Sequence, residues 1–415
     1  MDSLFRNRVF LIVATADLLQ QLGIWIRNMA LLFYIMEQTN NNPTAVSLLT
    51  VFEYLPIFIF SLLGGTFADR WNPKRTVIIG DLLSAVSVVL ILALVMAGWW
   101  QAVFAATVVS AVVSQFSQPS SAVLFKRHVP EKFIGMAIGI TQSLMAIFLI
   151  FGPIVGTLVY TQLGIQASLV ALIGIFMSAA LLQIALPASP RDRTSSSATV
   201  WKDMGEGIRY VQRSANLRII AIMFLIMGVG IGITQPLDVF VTMERLGLPK
   251  EAVQWFEAAA GIGVLLGGAI AAASMRWVER HRSKIIPLAL TWMSIATMIE
   301  VLSLWPLLTG TVRLLLGIVL SFFQVIFGAL MIQGVEEKYI GRVNGVIMPL
   351  MTAGILIGSA SAGFLAESIM LFGAYGVSAV LTLICAFLSI RLQTEGISKY
   401  TIEKKAGDVA GEQPH

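Results

Sequence analysis

The sequence predicts an all-α integral membrane protein, with twelve transmembrane helices in two pseudo-symmetric six-helix halves, and three observations carry that prediction. Of 415 residues, 57% are hydrophobic and only 12% charged, about half the charge of a soluble globular chain. Apolar runs recur twelve times, each near the roughly 20 residues that a helix needs to cross a hydrocarbon core about 30 Å thick. The chain also repeats its own pattern at an offset of 206 residues. Barrel strands of about ten residues do not fit runs this long and this continuously apolar.

The runs fall at 9–37, 44–68, 76–99, 101–125, 134–161, 165–186, 217–243, 252–275, 285–306, 313–334, 340–368 and 372–392. The first follows Arg6 and Arg8 and mimics a secretory signal, but Asp17, Gln20 and Gln21 interrupt it and no small-residue cleavage site follows. It is expected to be retained as helix 1. After the sixth run comes PASPRDRTSSSATV, whose Pro, Ser and charge content marks a linker. Trp201, Met204, Ile208 and Val211 then recur at helical spacing, an amphipathic stretch expected on the cytoplasmic membrane surface. A polar tail begins near Gln393 and is expected to be disordered. The organisation is thus residues 1–186 as the N-terminal half, 187–216 as a cytoplasmic linker with an interfacial helix, 217–392 as the C-terminal half and 393–415 as a cytoplasmic tail.

With the N-terminus inside, 24 of the 28 Lys and Arg residues fall in inner segments and only Arg245, Lys250 and Arg313 in outer ones. That asymmetry places both termini in the cytoplasm of a multi-pass protein of the inner cell membrane. The net charge of +5 reports this topology; the basic residues form no block or stripe, so nucleic acid is not expected as a partner. The lone Cys385 has no disulfide partner and reads as a small buried hydrophobe.

The repeat is the most informative feature. HVPEKFIGMAIG at 128–139 aligns with GVEEKYIGRVNG at 334–345, and Gly152 with Gly358; Phe52-Glu53, Gly64-Gly65 and Arg70-Trp71 recur, with small slippage, as Phe256-Glu257, Gly267-Gly268 and Arg276-Trp277. Duplicated helical halves place a site at their interface and alternate its access by rocking.

The segment GGTFADRWNPKR, from Gly64, resembles the loop between helices 2 and 3 of the major facilitator superfamily. Gly65, Asp69, Arg70, Lys74 and Arg75 match its pattern in kind; Asn72 and Pro73 stand where the family has a second glycine, and both suit a turn. The resemblance implies a latch on the cytoplasmic gate. Asp81 either joins that latch or favours a helix N-terminus. In helix 5, Gly139, Gly152, Pro153 and Gly156 resemble the glycine series of drug/proton antiporters of the superfamily, with Phe148 and Thr157 replacing two glycines. FEYLP at 52–56, the ADRWNPKR loop and Gln115, Phe116 and Pro119 resemble the macrolide-efflux branch, which implies export of hydrophobic compounds coupled to proton entry.

Charges inside the membrane carry the mechanism, because each costs at least about 2.5–3.5 kcal/mol at mid-bilayer. Asp17, Arg27, Glu53, Asp238 and Glu257 are the proton-coupling candidates. At about 1.5 Å per residue, Arg27 and Glu53 both lie roughly 15 Å from the outer side, so they are placed to pair between adjacent helices. Asp17 lies within reach of a central cavity, as a proton site or an anchor for a cationic substrate. Asp238 is expected near the outer rim, solvated, and Glu257 repeats the position of Glu53. Gln20, Gln21, Trp25, Tyr54, Gln115, Phe116, Gln142, Gln235 and Gln324 are candidates for the polar and aromatic groups of a mostly apolar pocket.

No phosphate-binding Gly-rich loop, zinc spacing or nucleophile elbow occurs in the sequence, so no cofactor, metal or enzymatic activity is expected. The reading is a monomeric, proton-coupled exporter of small lipophilic compounds, of macrolide or multidrug type, working in the lipid bilayer by alternating access. Its alternatives are a lipid or lysolipid flippase or a metabolite transporter of the same fold, and a receptor or scaffold without transport.

Overall fold

In the computed structural model, residue 4 and residues 7–68, 71–187 and 198–395 are described. Every apolar run becomes helix, and among the described residues there is no strand. The first half contains α1 (Arg8–Gln38), α2 (Pro43–Ala68), α3 (Pro73–Met96), α4 (Ala102–His128) and α5 (Glu131–Ile184). A shorter helix, α6 (Ala198–Arg213), precedes α7 (Ala215–Thr234), α8 (Val253–Ala273), α9 (Met275–Leu302), α10 (Pro306–Gly334) and α11 (Glu337–Glu395).

Among the described residues ten segments are long and apolar enough to cross a membrane, and two of the ten, at 133–184 and 337–392, are 52 and 56 residues long. A straight helix of that length would measure about 80 Å, more than twice the hydrocarbon thickness, so each must turn back. In α5 the reversal is at Gly164, with φ 74° and ψ −177°, a conformation open to glycine without steric cost. On α1, Gly23 lies against Leu172 and Ile175, while the Trp25 carbonyl faces Gly156. One turn of α1 therefore touches both arms of α5. In α11 the break is at Ile369 and Met370. There Ser359 and Ser378 donate to the Gly232 and Gly230 carbonyls of α7, at 3.1 and 2.9 Å, so its two arms flank the same helix. The ten segments thus make twelve crossings.

The ends follow from local chemistry. Asn7 caps α1 by accepting from the Val9 and Phe10 amides. Asn72 caps α3, accepting from the Arg75 amide, with Pro73 in the first turn, where a proline needs no backbone donor. The sequence boundaries err most at α9 and α10. The helix of α9 starts at Met275, through the basic stretch, although its apolar span begins only at Ser283. Hydropathy locates the lipid, whereas helix propensity lets the coil continue into water. Likewise α10 starts at Pro306, which carries Arg313 into the helix and corrects its expected place in an outer segment.

The core is divided unequally. At the end of the bundle carrying Glu37, one buried cluster joins Phe33, Met36 and Val46 of the first half to Leu237, Val253, Ala362 and Leu371 of the second. At the opposite end the clusters among the described residues stay within one half: Phe10, Ala14, Val129 and Ala137 in one, Val13, Val77, Leu124 and Leu186 in another, and Leu217, Ile220, Phe323 and Val343 in a third.

Candidate functional site

A cavity of about 700 Å³ lies below the joined end, lined by residues of α1, α2, α4, α5 and of α7 to α11. Its volume is within the range of small-molecule sites, about 300–1,000 Å³. Most of the wall is apolar, including Met29, Leu32, Leu49, Val264 and Leu316, and Trp25 and Tyr54 are its aromatic members. Trp25 is held there by α5: a side chain at Gly152 would run into its ring, and one at Gly156 would stand 2.6 Å from its carbonyl oxygen. These two glycines allow close helix approach, and Pro153 between them is buried. Gly139 does not share this role, since a side chain there would meet nothing within 4 Å among the described residues.

Two assemblies of charge face this cavity. In the first, Arg27, 4% exposed, pairs with Glu53 of α2 at 3.1 Å and donates to the Asn28 side chain at 3.1 and 2.8 Å. The two helices bring together what the rise per residue placed at one depth. In the second, Arg313 of α10 pairs with Asp238 at 2.6 and 3.0 Å and with Glu300 of α9. The Tyr375 hydroxyl donates to Asp238 at 2.7 Å, and Glu257 of α8 lines the same cavity.

Asp238 is the clearest correction to the sequence reading, for it is a largely buried partner of Arg313 and not a solvated rim residue. Pro236 follows α7, and the chain passes through a 3-10 turn, a short α turn and a π turn over 235–245. Proline removes a backbone donor, and the change of helical type turns Asp238 inward. Glu300 and Arg313 lie outside the sequence candidates. Glu300 hides as a single acid at the end of an apolar run, and Arg313 sits at the hydropathy boundary.

Of the other candidates, Tyr54 and Gln235 line the cavity. Gln20 instead donates to Asp81 at 2.8 Å, and Asp17 accepts from Ser121 at 3.3 Å beside Gln21, around a separate small pocket. Gln142 and Gln324 are exposed and Gln115 half-buried; Phe116 stacks on Trp71. None of these lines the cavity. Asp81 lies two turns inside α3 and is 2% exposed, so it does not serve the helix N-terminus. Lys74 donates to the Ile184 and Leu186 carbonyls, and Arg75 is exposed. Asp69 and Arg70 lie outside the described residues, as do the surroundings of Gly65. Among the described residues no group of three His, Cys, Asp or Glu side chains is arranged to hold a metal ion.

The joined end is tied by polar contacts between the halves. Glu37 of α1 pairs with Lys250 of the second half at 2.8 Å and accepts from Tyr160 of its own half at 2.7 Å. Thr44 donates to Glu367 of α11 at 2.8 Å, where the Thr44 backbone meets Gly363. At the other end α6 docks on α11: Tyr210 stacks on Tyr339 at 4.4 Å, and Glu206 pairs with Arg342 at 2.8 Å.

Residues 13–276 match the sequence profile of the Major Facilitator Superfamily. An uncharacterized MFS-type transporter of Bacillus subtilis, YkuC, is 26% identical over 99% of this chain and 98% of its own. Macrolide efflux protein A of Streptococcus pyogenes is 22% identical over 83% of this chain and 86% of its own. The crystal structure of the nucleoside transporter NupG superposes with a TM-score of 0.74, at 13% identity, over 93% of this chain and 99% of that one.

Proposed function

The chain belongs to the Major Facilitator Superfamily, and from that premise we propose that this membrane transporter exports lipophilic compounds, of macrolide or multidrug type, by proton-coupled alternating access. The observation that carries the reading is the unequal core: among the described residues one apolar cluster spans both halves at the Glu37 end, and the clusters of the other end keep to their own halves. A bundle built this way has one sealed face and one face able to part around the cavity between them. The mostly apolar wall suits a lipophilic cargo, and the likeness to macrolide efflux protein A points the same way.

In this reading the Glu37 end faces outward, both termini are cytoplasmic, and the Glu37–Lys250 and Thr44–Glu367 contacts form the outer gate. Residues 1–186 and 217–392 of a monomer rock about the cavity, with 187–216 and 393–415 at the cytoplasmic face. Gly65, Asp69, Arg70, Lys74 and Arg75 belong to the inner latch. Carboxylates take up the coupling protons, at Glu53 against Arg27, at Asp238 against Arg313, and at Asp17 beside Ser121. Protonation of Glu53 or Asp238 loosens its arginine and changes the balance between facing states.

The test is proton movement in liposomes holding the purified protein, followed with a pH dye while macrolides, lipophilic cations and lysolipids are added in turn. Substrate-triggered flux that is lost in Glu53→Gln or Asp17→Asn supports antiport. No flux with any compound, from folded protein, overturns it.

A further inference from the structure

We propose that the lipid-facing side of the second half carries a groove for an anionic phospholipid, between α9 and α10 and separate from the central cavity. On α9, Met293, Thr297 and Glu300 line the central cavity. On a different face, Ile285, Leu288, Ala289 and Trp292 join Val319 and Phe322 of α10 around a second cavity of about 340 Å³. All six lining residues are apolar or aromatic, and Leu288 is 71% exposed, so the recess opens on the lipid-facing surface of the bundle.

The continuation of its wall selects the kind of lipid. At intervals of four residues, Arg280 and Lys284 lead into Leu288 and Trp292, and Trp277 and His281 lead into Ile285 and Ala289. Residues four apart lie one above another on a helix, so each row runs from a polar end into the groove on one face. Arg280 and Lys284 are exposed and make no hydrogen bond or ion pair among the described residues. Trp277 lies against His281, with ring centroids 5.0 Å apart, and gives the polar end the aromatic character of a membrane interface. The apolar span of α9 begins at Ser283. Trp292 lies about 12 Å beyond Lys284 along the helix, which keeps the groove within one leaflet of a hydrocarbon core about 30 Å thick. That leaflet is the cytoplasmic one in the topology proposed above. The groove thus runs where an acyl chain runs when its headgroup rests at Lys284 and Arg280. A recess leaves its lining without partner atoms, and a chain laid into it restores those contacts on more sides than a convex helix face can. The two cations then choose the headgroup, each basic residue at the membrane surface favouring an anionic lipid by about fivefold.

The experiment follows tryptophan fluorescence of the purified full-length protein in phosphatidylcholine nanodiscs, into which phosphatidylglycerol or phosphatidylcholine with brominated acyl chains is titrated. Bromine quenches an indole that touches the chain, and subtracting the signal of Trp292→Phe isolates the groove. In the wild type, the Trp292 signal is quenched at a brominated phosphatidylglycerol content at least about fivefold below that needed of brominated phosphatidylcholine. Lys284→Gln combined with Arg280→Gln brings the two lipids within about twofold of each other, and Val319→Phe, which fills the recess, weakens quenching by both. Equal quenching by the two lipids in the wild type overturns the proposal, and so does a Trp292 signal that neither lipid quenches. The wild-type comparison decides even if the charge or groove-filling variants fail to fold. Because the assay involves no transport, loss of the lipid preference leaves the exporter reading untouched, and absence of transport leaves the lipid site standing.

Discussion

Arg27 and Arg313 face the same physical problem, a guanidinium inside a membrane bundle, and the two halves answer it differently. Arg27 meets one carboxylate, Glu53, with the Asn28 amide completing its contacts. Arg313 meets Asp238 and Glu300 directly, Tyr375 donates to Asp238, and Glu257 stands in the same cavity. The first assembly is balanced in formal charge. The second carries a surplus of two negative charges when fully ionised, and in a low-dielectric setting such a surplus is relieved by a bound cation or proton. The difference is one of surplus: the first assembly has no charge beyond its own pair, and the second has carboxylates to spare for a further positive charge.

The largest blow to this contrast is removal of the shared cation. Arg313→Gln strands three carboxylates and is expected to cost about 3–5 kcal/mol, read as a fall in the unfolding temperature in detergent. Arg27→Gln strands only Glu53, whose side chain is 26% exposed, so the expected loss is smaller, about 1–3 kcal/mol by the same reasoning. The double variant with Glu53→Gln sharpens the comparison. It recovers most of that loss, whereas Arg313→Gln with Asp238→Asn recovers little because Glu300 and Glu257 remain; equal recovery in both pairs would break the contrast. Tyr375→Phe removes one hydrogen bond to a charged acceptor and is expected to cost about 1.5 kcal/mol. The smallest effect belongs to Glu37→Gln, since that side chain is 49% exposed and a solvated pair is worth about 0.2–1 kcal/mol. Its signature is access: with Cys385 wholly buried, a Gln235→Cys probe should react faster with an impermeant thiol reagent if the Glu37–Lys250 contact belongs to the proposed outer gate.

The Arg27–Glu53 pair is legible in the sequence because both residues sit mid-run, where counting residues measures depth. Arg313 is not, because it stands at the first residue of its apolar run, where counting residues puts it at the outer boundary, while the helix begins at Pro306. Asp238 is misplaced by sequence reasoning because its position depends on the 3-10 and π turns after Pro236, which no 3.6-residue periodicity reveals. The twelve crossings are legible from hydropathy alone, but the glycines of α5 divide by role only in three dimensions: Gly152 and Gly156 seat Trp25, whereas Gly139 faces open space. Of the expected pocket glutamines, only Gln235 reaches the cavity, for a related reason. A glutamine on a membrane helix marks polarity, but helix rotation decides whether it meets the cavity, another helix or solvent.

The reversal at Gly164, and its counterpart at Met370, bear on how the chain reaches the bilayer. Two crossings joined without an intervening loop leave no hydrophilic segment to wait outside while the first helix enters. Each pair is expected to partition as one helical hairpin during synthesis, its backbone hydrogen bonds already satisfied. An epitope inserted at Gly164 or Met370 should therefore impair biogenesis, whereas the same epitope in the segment joining the sixth and seventh crossings should be accepted, and comparing the yields of the inserted protein would separate the two.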